Sequence, residues 1–174
     1  MPTAHPLQHQ PDRRLQIAGW AHWGVIYAKH FTYSELDDRM SAIGTKPGTL
    51  PVTCDCSAFV TLCYFWGGAP DPNGLNYDHE GYTGTLLTHD KHVALLRKNA
   101  REITLSNVQP GDLVVYGTGT GAHVAMIVHG GYDPLTVSMG QDGDPSYVRV
   151  SQDGRPVEAY LRCETRQRLG FVAA

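Results

Sequence analysis

The stretch TCDCSAFVTLCYFWGG, residues 53–68, holds three of the chain's four cysteines within ten positions. Three chemistries compete for it: a metal site, a disulfide framework, or one reactive thiol among bystanders. From Ser57 to Trp66 the stretch is apolar on nearly all sides, at Phe59, Val60, Leu62, Cys63, Phe65 and Trp66. That pattern predicts a buried helix, stopped by Gly67 and Gly68. Cys56 falls at the helix start, Cys54 two residues earlier in a loop, and Cys63 inside the apolar run, where it reads as a small core residue. The free N–H groups and dipole of a helix N-terminus favour a thiolate, so position alone favours Cys56 as the reactive thiol.

The rival chemistries are weaker. Cys54 and Cys56 are too close in sequence to pair without strain. No apolar leader opens the chain, which argues against a secreted disulfide scaffold. Cys54-x-Cys56 is tighter than common zinc spacings, and His89-x-x-His92 offers no matching second pair. The expectation is no metal and no cofactor.

Working outward, 174 residues with 41% hydrophobic and 18% charged side chains suit a single globular domain. A formal net charge of −3 gives no basic surface for nucleic acid. Apolar runs such as Leu113 to Tyr116 are far too short to cross a membrane. Residues 1–10 carry two prolines and no apolar period, and read as a flexible arm before one domain spanning 11–174. From Pro11, the spacing of Leu15, Ala18, Trp20, Trp23, Ile26 and Tyr27 suggests an amphipathic helix, weakened by Gly19 and Gly24. Residues 44–53 and the stretch APDPNGLNYDHEGYTG read as loops, with a second amphipathic helix from about His89 to Ala100. Short strands then follow in QPGDLVVYG, AHVAMIVHGG, LTVSMG, YVRVS and AYLRC, separated by Gly, Asp and Pro. Helices first and strands later predict an α+β fold, with the helices packed on an antiparallel sheet.

A cysteine nucleophile needs a base, usually a histidine, held by a third polar group. Of the nine histidines, His123 opens a strand directly after the glycine-rich GTGTGA. A strand start is a rigid mount and the glycines leave room beside it. By position alone it is either the base or an ordinary polar strand-end residue.

Together, DCSAFV at Asp55 to Val60, PGDLV at Pro110 to Val114 and HVAMI at His123 to Ile127 resemble the NlpC-like, papain-like cysteine peptidases of bacterial cell walls. The family pattern is D-C-S-G/A-F/L-V, then P-G-D-L-V, then H-V-A/G-I. The loops FVTLCYFWGGAPDPNGLNY, GYTGTLL and GQDGDPSYVRVSQDG are similar to peptidase domains of actinobacteriophage endolysins. The resemblance implies a papain-like, NlpC-type fold with Cys56 as nucleophile and His123 as general base. It implies hydrolysis of peptidoglycan stem peptides through a thioester. One oxyanion donor would be the Cys56 N–H, and another a tyrosine, for which Tyr33 is the match and Tyr27 the alternative, unless both are core aromatics. Asp55 is expected to fix the local loop or contact substrate, and Ser57 to act through the helix cap.

The third polar group is where the pattern breaks. Its place in PLTVSMG is expected to fall on Met139, a very weak acceptor. Gln141 shares the strand face expected for Met139, and Asp142 carries the charge that best stabilises an imidazolium. Both are candidates, against the plain reading that they decorate a turn. The break leaves a cell-wall-binding module as an alternative, and an amidase or acyltransferase as another. The expected partner is peptidoglycan and the default state a monomer. Without a signal peptide, the expected route is synthesis in a host cytoplasm and action on the wall after release by a phage lysis system.

Overall fold

The computed structural model describes residues 12–35, 42–78, 81–87, 100–118, 121–140 and 143–166. The arm at 1–10 and nearly all of the helix expected at 89–100 lie outside these residues; Ala100 itself opens a strand.

Two helices stand first. In α1 (Arg13–Ile26), the Asp12 carboxylate caps the start by accepting from Arg14 N at 2.9 Å. Its buried stripe is Ile17, Ala18, Trp20, Ala21, Trp23 and Gly24. This corrects the expected face: Leu15 and Ile26 are 46% and 74% exposed, because both ends of the helix overhang the core. The buried face packs Trp20, Trp23 and Trp66 edge to face at 5.1–5.5 Å. Gly24 is no weakness here. A Cβ on it would come within 2.8 Å of the Phe59 ring, so its absence lets α1 close on α2 (Cys56–Trp66).

Between the helices, β1 (Phe31–Tyr33) and β2 (Val52–Cys54) form a parallel pair in which Tyr33 lies opposite Cys54. The stretch expected to be loop thus ends as a strand feeding directly into α2. After α2 the chain runs in turns, gathered by Asp71, whose carboxylate accepts from Asn73 N, Leu75 N and Tyr77 N at 2.8–3.1 Å. A short 3₁₀ turn at Thr83–Leu86 follows.

The second half is a six-stranded antiparallel sheet, ordered β3-β8-β4-β5-β6-β7. Its strands are β3 (Ala100–Ile103), β4 (Leu113–Tyr116), β5 (His123–His129), β6 (Leu135–Met139), β7 (Pro145–Arg149) and β8 (Val157–Cys163). Helix α1 touches β5, β6 and β7, while α2 touches β5 and β6. Strands buried on both faces lose the simple in–out alternation. Leu113, Val115, Val124, Met126, Val137 and Met139 face the helices. Val114, Tyr116, Ala125 and Ile127 face the other way into a smaller cluster with Val108. The PGD turn is pinned by Asp112, fully buried, which takes Arg14 at 3.0 Å and Arg162 at 2.7 and 3.0 Å. The α+β architecture with helices on an antiparallel sheet is as expected.

Candidate functional site

Cys56 is the first residue of α2, and Asp55 is its N-cap. One carboxylate oxygen of Asp55 accepts both the Ala58 N–H at 2.7 Å and the Ser57 hydroxyl at 2.8 Å. Asp55 therefore fixes the turn that presents the cysteine, and Ser57 buttresses the cap instead of forming it. Burial, 7% exposed, pushes the Cys56 thiol up, and the Asp55 charge adds to that. Hydrogen bonds from Val124 N–H, the Thr83 hydroxyl and Ser57 N–H oppose both. The Val124 bond ties the thiol to the strand residue immediately after His123.

Thr83 was not singled out by sequence. Its Oγ1 lies 3.7 Å from Cys56 Sγ, and both residues are buried. Two glycines let it in. A Cβ on Gly81 would meet Asn73 at 2.5 Å, and Asn73 is bonded to Thr61 of α2 at 3.3 Å, so the segment 81–87 lies hard against the helix. Gly121, at φ +72°, leaves space for the Thr83 methyl, Val115 and Leu87. Only the glycines, read as room beside His123, hinted at this approach.

His123 starts β5 and is 5% exposed. Its Nε2 lies 2.6 Å from Ser138 Oγ, and its ring stacks on Tyr116 with centroids 5.9 Å apart. Burial pushes its pKa down to about 4, with Arg155 adding to the effect and Asp153 opposing it. With Nε2–H donated to Ser138, the neutral tautomer keeps its Nδ1 lone pair, the form a general base requires.

The residue facing His123 is thus Ser138, not Met139. The β5–β6 register pairs Met126 with Val137 and Ile127 with Thr136. Continued, it sets Ser138 opposite Ala125, on the face His123 shares, and turns Met139 to the helix side, where it is fully buried. Gln141 and Asp142 lie outside the described residues.

Tyr33 sits by the cysteine. Its hydroxyl donates to Glu35 at 2.9 Å, and burial, then Glu35, then the Cys56 and Asp55 charges raise its pKa. Tyr27 instead caps α1 and tilts against Trp23 at 4.8 Å, a packing role. Cys54, Cys63 and Cys163 are buried and free. His89 and His92 lie outside the described residues, among which no cluster of three metal-ligating side chains occurs.

A capped cysteine opens α2, and a histidine opens β5, whose Val124 N–H reaches the thiol. The profile of the NlpC/P60 family matches residues 44–157, which include Cys56, Thr83, His123 and Ser138. The chain belongs to the NlpC/P60 family. Its fold is also that of solved NlpC/P60 structures. RipB from Mycobacterium tuberculosis, a peptidoglycan hydrolase, matches at TM-score 0.50 and 18% identity over 95% of this chain and 74% of its own. RipD from the same organism, a non-catalytic NlpC/p60 domain protein adapted to peptidoglycan binding, matches at 0.51 and 18% over 87% and 98%. At that identity the likeness is one of fold. No curated protein matches the chain. The NlpC/P60 fold thus serves both a hydrolase and a binder among these neighbours, and the residues around the thiol must separate the two.

Proposed function

We propose that this NlpC/P60 domain is a peptidoglycan endopeptidase that cuts stem-peptide amide bonds through Cys56. The observation that carries the reading is a donor-lined thiol at the α2 start that is tied to Val124, the residue after His123, whose imidazole is fixed through Nε2. Nδ1 of His123 takes the Sγ proton, and the thiolate attacks the scissile carbonyl. The C–N bond breaks as the imidazolium returns the proton to the leaving amine, and water then hydrolyses the thioester. The Cys56 N–H, a first-turn amide without an acceptor inside the helix, is one oxyanion donor in this scheme, and the Tyr33 hydroxyl becomes the second by turning its proton from Glu35 to the substrate.

The loop resemblance around 59–87 and 133–154 extends the proposal to a phage endolysin, made in a host cytoplasm and acting on the wall after release. A second reading, a binding module, is favoured by one observation: the partner on His123 Nε2 is a hydroxyl, which carries no charge to stabilise an imidazolium. Digestion of purified actinobacterial peptidoglycan by wild type and Cys56→Ala, with fragments identified by mass spectrometry, separates them. New stem-peptide termini from wild type alone support the peptidase. Retention on the wall by both proteins without new termini supports the binder.

A further inference from the structure

Thr83 is the side chain in contact with the nucleophile that the scheme above leaves without a task. Its Oγ1 is 3.7 Å from Cys56 Sγ, both groups are buried, Gly81 lets the segment close on Asn73, and Gly121 leaves room for the Thr83 methyl. Its methyl lies against Gly121, where a Cβ would come within 3.0 Å of it, and a β-branched side chain is stiff at χ1. The hydroxyl is thereby aimed at sulfur. A threonine hydroxyl both donates and accepts, so it can serve either protonation state of its partner, which a backbone N–H cannot.

Resting on the reading of Cys56 as nucleophile, we infer that Thr83 is a catalytic residue that accepts from the resting Cys56 S–H and rotates to donate to the thiolate. When the S–H bond breaks and His123 Nδ1 gains the proton, the Thr83 O–H turns onto Sγ. It joins Val124 N–H and Ser57 N–H, giving the anion one donor each from the 3₁₀ turn, β5 and α2. This donor set stabilises the thiolate where the hydroxyl partner of His123 gives the imidazolium little help. Among the described residues, the titratable groups coupled to the thiol are Tyr33 from β1, Cys54 from β2 and Asp55 at the cap. None is altered by changing Thr83.

The test is the pH profile of iodoacetamide alkylation, read at Cys56 by fragment mass spectrometry, in wild type, Thr83→Val and Thr83→Ser. Loss of a hydrogen bond to a charged group should raise the apparent thiol pKa in Thr83→Val by about one unit, with alkylation about tenfold slower at neutral pH. Thr83→Ser, which keeps the hydroxyl, should follow wild type. A Val profile superimposed on wild type overturns the inference, and so does a Ser profile displaced as far as Val, which would mark a packing effect. Thr83→Ala replaces Val if the latter does not fold, with the same expected displacement. Alkylation needs no peptide substrate, so a wild type that fails to cut peptidoglycan counts against the proposed function without touching this result.

Discussion

His123 Nε2 and Ser138 Oγ meet at 2.6 Å across β5 and β6, both side chains buried. The imidazole is therefore oriented by a neutral hydroxyl where a carboxylate would both orient and stabilise it. Orientation and charge are separable here, and two substitutions separate them. Ser138→Ala removes orientation and is expected to lower kcat on peptidoglycan fragments by on the order of 10- to 100-fold, less than loss of a charged orienting group costs, with KM little changed. Ser138→Asp adds charge and should raise the His123 pKa from about 4, as read from imidazole 15N shifts. A titration unmoved by aspartate would show that the side chain does not face the ring in solution.

Burial of neutral His123 also makes stability depend on pH in a defined window. Its folded pKa of about 4 lies below the unfolded value of about 6.5, so between them the unfolded chain binds more protons. The contribution is therefore complete above about pH 6.5 and is lost as pH falls toward 4, with a size on the order of 3 kcal/mol. The measurement is urea unfolding of wild type and His123→Gln at pH 7.5 and pH 4.5. Wild type should lose more stability than the variant over that interval, because other titrations cancel in the comparison. Parallel losses would place the histidine in water.

The limits of the sequence follow from the same strands. The position of Cys56 was legible because a helix start, an acidic cap residue and an apolar run sit in one continuous segment. The place of His123 was legible because it opens a strand after glycines. Ser138 was not, because alternation defines two faces without saying which one a neighbour uses, and here Ser138 and Met139 are both buried. A register irregularity between Ile127 and His129 removes any simple count back to His123. Thr83 reaches the thiol through tertiary closeness at Gly81 and Gly121, which no local period encodes. The face of α1 was misjudged at its ends, since hydrophobic period cannot tell where a helix overhangs its core.

Gly24 tests that packing directly. In an isolated helix, alanine would be favoured over glycine by about 1 kcal/mol. Here its Cβ would fall 2.8 and 2.9 Å from two ring atoms of Phe59. Overpacking of this kind costs about 1–3 kcal/mol, so Gly24→Ala should lower Tm despite its better propensity. Combined with Phe59→Leu, the two losses should be less than additive, because the smaller side chain vacates the space. Strict additivity would mean that α1 and α2 do not approach this closely.

Asp112 is the most consequential residue outside the site. Its carboxylate is fully buried and takes Arg14, two bonds from Arg162 and the Gln109 N–H at 2.8 Å. It thereby ties α1, the turn before β4, and β8 together. Asp112→Asn keeps the volume but leaves two guanidinium groups facing a neutral amide. Removing one side of a buried ion pair costs about 3–5 kcal/mol, and the arginine side chains, 21% and 17% exposed, recover part of that by hydration. The expected loss is about 2–4 kcal/mol in urea unfolding at pH 7. Added salt should not restore it, since screening reaches buried charges poorly. A loss below about 1 kcal/mol, in the range of exposed ion pairs, would mean that Asp112 is hydrated in solution and that the turn before β4 is held by its backbone alone.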